Sequence, residues 1–379
     1  MINQGSNCIS RRVFLRAAVL GVGASLVAAC SSPSAPAPTS APATGLAGAT
    51  PAQQAPAQPT GGGGEINVTT YGGTWKDNLI KYVAGPFEQQ YKTKVNLSEG
   101  ISTEWVAKIK AAGTNNPPYD VLICNEPPLP ELRKAGFFDR RDTSLAPNIK
   151  NLYDQALRGE ESLILMWGAV GLGYRTDQIA AKVDSWDAPF DPAFANKRGT
   201  YTLANTLGLQ MFLMYNKIFG KDEYDADAGF SALKKWVPMK LADFTGTMES
   251  YITQGEVVIG NLPDASVAKL AKQGVKIDFG MPKEGAPALE QVAQVLKGSK
   301  NRELAWKFLD AFLDNQAQVG FATSEFYGPA NKTVTVPEED AKLITATPED
   351  VKRLAFFDWD TIGGQRSRWI ERWNREIAS

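Results

Sequence analysis

Glu65-Ile66-Asn67-Val68-Thr69-Thr70-Tyr71 followed by Gly72-Gly73-Thr74-Trp75, and further on Tyr119-Asp120-Val121-Leu122-Ile123-Cys124, are the stretches from which the architecture is read. The first begins with strand character at Ile66 and Val68, breaks at the glycine pair, and resumes with Trp75, Leu79, Val83 and Phe87 at helical spacing. Lys94 to Leu97 makes a second short strand, Trp105 to Ala112 a second helix, and Tyr119 to Cys124 a third strand whose unbroken apolar run suits a sheet buried on both faces. Pro128-Leu129-Pro130 opens another helix, and the rhythm continues through strands at Gly168 to Tyr174, Gly199 to Thr202 and Val257 to Gly260. Alternation of this kind predicts an α/β architecture dominated by parallel pairing.

In open α/β sheets, ligands sit in crevices beyond the carboxyl ends of strands, where helix N-termini turn backbone N–H groups outward. Three loops directly follow a strand and qualify: Tyr71 to Trp75, Cys124 to Pro127, and Leu262 to Asp264. Gly72-Gly73 is by itself a plain turn; the flanking Tyr71, Thr74 and Trp75 are what make it a binding loop.

Composition narrows the function. The 379 residues have room for a leader, a tether and either one large or two medium domains. Forty Lys and Arg against 41 Asp and Glu leave a formal charge of −1, so no global field is available to hold nucleic acid or an anionic membrane. With no histidine in the chain, the commonest metal ligand, general base and triad partner are all missing, which argues against hydrolytic chemistry. Cys8, Cys30 and Cys124 fall in three different contexts and offer neither a disulfide framework nor a metal cage. Cys124 reads as a small buried residue of a strand. No catalytic residue, cofactor or metal site is expected.

The N-terminal region has signals of its own. Ser10-Arg11-Arg12-Val13-Phe14-Leu15-Arg16 resembles a twin-arginine export signal, and the apolar stretch Ala17 to Ala29 is too short to span a bilayer comfortably. Leu26-Val27-Ala28-Ala29-Cys30 resembles a lipobox, so residues 1–29 read as a Tat-type lipoprotein signal peptide and Cys30 as the lipidated new N-terminus; an ordinary leader cleaved near Ala29 is the alternative. From Ser31 to Gly64 the chain is nearly all Ser, Pro, Ala, Thr, Gln and Gly, too poor in apolar side chains to offset the entropy of ordering. Residues 30–64 are therefore expected to form a flexible linker holding a soluble domain outside the cytoplasmic membrane.

Several collinear stretches carry a family likeness: Tyr71-Gly72-Gly73-Thr74, Tyr119-Asp120-Val121, Leu132 to Phe138, Trp167 to Tyr174, Ser185-Trp186, Gly255-Glu256-Val257, Pro282-Lys283-Glu284-Gly285, Tyr327 to Asn331, and Trp369 to Ile377. Together they resemble the bacterial extracellular solute-binding proteins of the spermidine/putrescine type, which serve ABC importers. The resemblance implies a two-lobed periplasmic-binding-protein fold of type II with a ligand cleft between the lobes. Lobe 1 would comprise 65–167 and 284–332, and lobe 2 would comprise 168–283 and 333–379. It also implies closure of the lobes over a small-molecule ligand, recognition by an ABC permease in the cytoplasmic membrane, and action as a monomer. Trp306, Phe308, Leu309 and Phe312 then read as a core helix of lobe 1, and Trp369, Ile370 and Trp373 as a helix packed on lobe 2.

The pocket positions depart from those of the polyamine-binding members. Where polyamine-binding members place an acidic pair, this chain has Ala204, Asn205 and Leu207; a later pocket acid falls on Gln291, and a pocket tryptophan falls near Pro263. Glu126, Asp264 and Asp360 are the acids that could still reach the cleft, beside Asn125, with Tyr71, Trp75, Trp167 and Tyr327 as aromatic walls. Each acid could equally be a solvated or capping residue, and Asp120 reads as structural. Thr74 and the amides after Gly73 would suit a carboxylate or phosphonate oxygen. The expected ligand is a small amine or an amino-acid-like zwitterion. An organic or phosphonate anion, or a tethered sensory role without transport, are the competing readings. Ferric ion capture is disfavoured because Tyr327 is preceded by Phe326 and no histidine can assist.

Overall fold

The computed structural model describes residues 64–378; the leader, Cys30 and the linker up to Gly63 lie outside the described residues. One mixed sheet runs through the described chain. Its strands are β1 (Glu65–Thr70), β2 (Lys94–Glu99), β3 (Val121–Asn125), β4 (Leu157–Arg158), β5 (Ser162–Arg175), β6 (Arg198–Tyr201), β7 (Lys240–Ala242), β8 (Ile259–Pro263), β9 (Ile277–Gly280), β10 (Ala286–Val295), β11 (Gly328–Pro329) and β12 (Leu354–Ala355). Along the main path the order is β2-β1-β3-β10-β5-β8-β6-β7.

At each end of this path the pairing is parallel: β1 with β2 and β3, and β6 with β7 and β8. In the middle, β10 runs antiparallel to β3 and β5, and β5 runs antiparallel to β8 and β9. The parallel-dominated sheet predicted from sequence is thus corrected to a mixed one. Strand β10 escaped because it is buried along almost its whole length, which erases the alternation that marks a half-exposed strand.

Two main cores flank the middle strands. The larger takes residues between Ile66 and Ala169 and between Ala286 and Ala330, with Val351 and Leu354; Trp306, Phe308, Leu309 and Phe312 are fully buried in it. The other takes residues between Leu172 and Ile259 and between Phe357 and Ile377, including Trp369 and Trp373, with Ile370 packed at its edge. Strand β5 serves both, because Ala169 is its last residue paired with β10 and Val170 is its first paired with β8. Gly171 permits that packing: a Cβ there would lie 2.6 Å from the Gly280 carbonyl oxygen. Cys124 is wholly buried in β3, where burial raises its thiol pKa well above the ordinary value.

The opening stretch folds as its pattern dictates. Gly73 precedes the helix at a positive φ of 65°, a conformation that costs glycine little. From Thr74 the chain is helical to Tyr91, with a π turn over Ile80–Ala84, and it buries Trp75, Leu79, Val83 and Phe87. Asp120 lies at the start of β3, where its carboxylate accepts from the Asn67 amide at 2.8 Å and from the Ser299 hydroxyl.

Candidate functional site

Six strand ends converge on one cavity of about 620 Å³. Beyond β1 stand Tyr71, Gly72, Thr74 and Trp75; beyond β2 come Ser102 and Thr103; Asn125 ends β3 and Pro127 follows it. From the other side, Asn205 and Thr206 follow β6, Thr245 and Glu249 belong to the helix after β7, and Pro263, Ser266 and Lys269 come from the end of β8 and its helix. Leu289 and Gln291 of β10, Glu325, Tyr327 and Arg366 complete the wall. This is the crevice that an α/β sheet leaves beyond the carboxyl ends of its parallel strands.

The β1–β3 wall is held by one hydroxyl. Tyr71 Oη donates to Asn125 Oδ1, accepts from the Asn125 amide at 3.0 Å, and lies 3.1 Å from Ser102 Oγ, tying the three strand ends together. Burial raises the pKa of this phenol far above its ordinary value, so it stays protonated and able to donate. Its ring meets the Trp75 ring edge-on at 5.9 Å, and Trp75 meets Tyr327 in the same way at 5.9 Å. The three aromatics form a continuous face. Trp75 is 6% exposed, and its indole Nε1 is buried with no hydrogen-bond partner.

Gln291 enters from β10 at a register shift against β5, where Leu165 of β5 is the extra residue. Its Nε2 donates to Tyr327 Oη at 3.4 Å, and its Oε1 is buried without a partner, although the residue is only 4% exposed. Asn205 reaches the cavity with its side chain already engaged: Oδ1 caps the helix Thr206–Phe219 by accepting from the Leu207 amide, and Nδ2 donates to the Asp243 carbonyl at 2.8 Å.

Of the sequence-predicted site residues, the fold brings Tyr71, Thr74, Trp75, Asn125, Asn205, Gln291 and Tyr327 together, with Thr74 exposed on the rim. The other four are elsewhere. Glu126 follows Asn125 by one residue and so turns to the opposite face; it is 3% exposed and pairs with Arg133 at 2.8 Å, with burial raising its pKa against the pull of that guanidinium. Trp167 is fully buried in β5 between Tyr153 and Phe356, a core residue rather than a wall. Asp264 faces away from this cavity and fastens the segment around Thr345, accepting from the Thr345 amide at 3.0 Å and its hydroxyl at 2.7 Å. Burial lifts the Asp264 carboxyl to about 6 despite those bonds. Asp360 is an exposed residue of a short helix, 3.2 Å from Lys134, and lines a separate groove.

The sequence reading missed the charged groups of the cavity: Glu249, Lys269, Glu325 and Arg366. For Arg366 a signal existed. It sits three and seven positions before Trp369 and Trp373, so a cation occupies the stripe that the rest of this helix buries.

Residues 83–349 match the family described as bacterial extracellular solute-binding protein. The chain belongs to that family. This solute-binding protein is 26% identical over 288 residues to the putrescine-binding periplasmic protein PotF of Escherichia coli (strain K12), covering 69% of this chain and 77% of that one. It is 25% identical over 332 residues to the spermidine/putrescine-binding periplasmic protein of the same organism, covering 83% and 92%. Among solved structures, an ABC transporter from Clostridium perfringens aligns with a TM-score of 0.73 at 22% identity over 82% of this chain and 99% of that one. The Atu4243-GABA receptor aligns at 0.70 with 21% identity over 82% and 96%. At that identity the two structures establish the shared fold. As a family member, this chain is a solute-binding protein rather than an enzyme, and its fold is the mixed α/β architecture of the periplasmic solute-binding proteins.

Proposed function

We propose that the cavity between the two sets of strand ends is the solute site, and that the protein captures a small polar organic molecule there for an ABC permease. The lobes would be 65–167 with 284–332 and 168–283 with 333–379, closing over the solute. The observation that carries this reading is a donor and an acceptor among the three buried, unpartnered atoms of the wall, Trp75 Nε1 and Gln291 Oε1, the third being Arg366 Nε. Leaving a donor and an acceptor unsatisfied out of water costs about 1–3 kcal/mol each, a cost that a solute with an acceptor and a donor of its own would remove. An amino-acid-like zwitterion supplies both groups and an amine the donor alone, and the relatives' names, putrescine-binding and spermidine/putrescine-binding, support a nitrogenous solute.

Mass spectrometry of small molecules released on denaturing the purified full chain tests the site. Wild type should release a stoichiometric solute and a Trp75→Phe/Gln291→Ala double variant little; equal release from both would end this reading. X-ray scattering tests closure, because saturating solute should compact the protein.

Outside the described residues, Cys30 is proposed as the lipid anchor and Arg11-Arg12 as an export signal, placing the domain outside the cytoplasmic membrane on its linker. Cys30→Ser should move the protein from the membrane fraction to the soluble one.

A further inference from the structure

Four charged side chains line the cavity with charges in balance: Lys269 and Arg366 against Glu249 and Glu325. Two of them satisfy each other, since Lys269 Nζ lies 3.2 Å from Glu325, which also accepts from Asn78 at 2.8 Å. The other two are left over. The guanidinium of Arg366 makes one hydrogen bond among the described residues, from Nη2 to the Ala204 carbonyl at 2.7 Å, while its Nε is buried with no partner. The Glu249 carboxylate takes part in no hydrogen bond or ion pair among the described residues. We infer that the solute is a zwitterion with one carboxylate and one ammonium group, the carboxylate held by Arg366 and the ammonium by Glu249. This rests on the cavity being the solute site.

The charges discriminate against the alternatives. A diamine would add two positive charges to a wall that already carries an unneutralised guanidinium, and only Glu249 is free to receive them. A dicarboxylate meets the converse problem at Glu249. Arg366 is partly withdrawn from water with no carboxylate beside it, and its pKa is lowered by that burial. A ligand carboxylate supplies the missing counter-charge in the planar, two-pronged geometry that guanidinium favours.

The test is thermal denaturation and calorimetry of the full chain with diamines, ω-amino acids and dicarboxylates of four, five and six carbons, together with the common α-amino acids. At least one zwitterion should bind, and more tightly than the diamine and dicarboxylate of equal length. Arg366→Met should weaken that binding about ten- to a hundredfold, the worth of a charged hydrogen-bonded pair. Arg366→Lys should recover part of the loss, which a merely misfolded Met variant would not predict. Glu249→Gln should narrow the gap between the zwitterion and the matching dicarboxylate. Preference for a diamine or dicarboxylate, binding indifferent to Arg366→Met, or silence across the panel would each overturn the charge assignment. The site itself is judged separately. A diamine that alters Trp75 emission in wild type and not in Trp75→Phe would refute the charges and keep the cavity, whereas a released solute unaffected by the Trp75/Gln291 variant would refute the cavity.

Discussion

The two walls of the cavity are built on the same plan, three parallel strand ends each, yet they are furnished differently. The β1–β3 wall presents an aromatic face and a hydroxyl that fastens three loops, and the one charged side chain beside it, Glu325, is held by Asn78 and Lys269. The β6–β8 wall presents Glu249 and Lys269 on helices, with Arg366 also lining the cavity, and its polar lining is mostly half-buried. Aromatic shape lies on one side and the two uncommitted charges on the other, so affinity and selectivity should be separable by mutation.

The largest expected effect lies on the aromatic wall. Trp75 packs on Tyr71, Phe321 and Tyr327, so Trp75→Ala should cost about 3–5 kcal/mol of stability in urea and abolish solute binding. A loss limited to binding, with stability intact, would show that this wall is held by the hydroxyl clamp instead.

Asp264 comes next, anchoring the far side of the helix that carries Lys269. Its carboxyl sits at about 6 when folded against an ordinary 3.8, so the folded state holds the proton more tightly than the unfolded one. Its contribution therefore favours folding below about pH 4 and is lost as pH rises through 6, by at most about 3 kcal/mol. Asp264→Asn should remove that slope, the variant gaining on wild type between pH 4 and 6 in denaturant titrations. Its own lost hydrogen bonds would shift the height of the curve and not the slope.

Tyr71→Phe removes the clamp while keeping the ring, and should cost about 1–3 kcal/mol, with solute binding weakened through the loosened Asn125 loop. Smallest of all is Lys269→Met. This breaks a half-exposed ion pair that joins the helix after β8 to the buried Glu325, and should change stability by about 1 kcal/mol or less. A larger loss there would mean that charge ties the second wall to the first as firmly as aromatic packing holds the first together.

The two walls also differed in how far they could be read from sequence. Tyr71, Thr74, Trp75 and Asn125 follow directly from strands with clear patterns, so rules for strand ends reach them. Glu249 and Lys269 lie several residues inside helices, where spacing gives a face without saying what that face meets. Glu325 and Arg366 arrive from segments more than 200 residues beyond the first strand, joined to the cavity only by topology. Two of the three acids proposed for the cleft, Glu126 and Asp264, lie elsewhere because a carboxylate next to a strand end can turn to either side of the sheet, whereas Asp360 sits in a short helix outside the cavity. Glu126 found Arg133, Asp264 found the Thr345 loop, and Asp360 found Lys134.

Near the junction between the two main cores, three chain segments run side by side. Ala169 of β5 is opposite Ala288 of β10, and Ala286 of β10 is opposite Leu354 of β12. Three covalent tethers laced by backbone hydrogen bonds resist sliding past one another, while a ribbon so narrow still flexes across its width. Were the two cores to move as the proposed closure requires, this lacing would channel the motion toward a single bending coordinate.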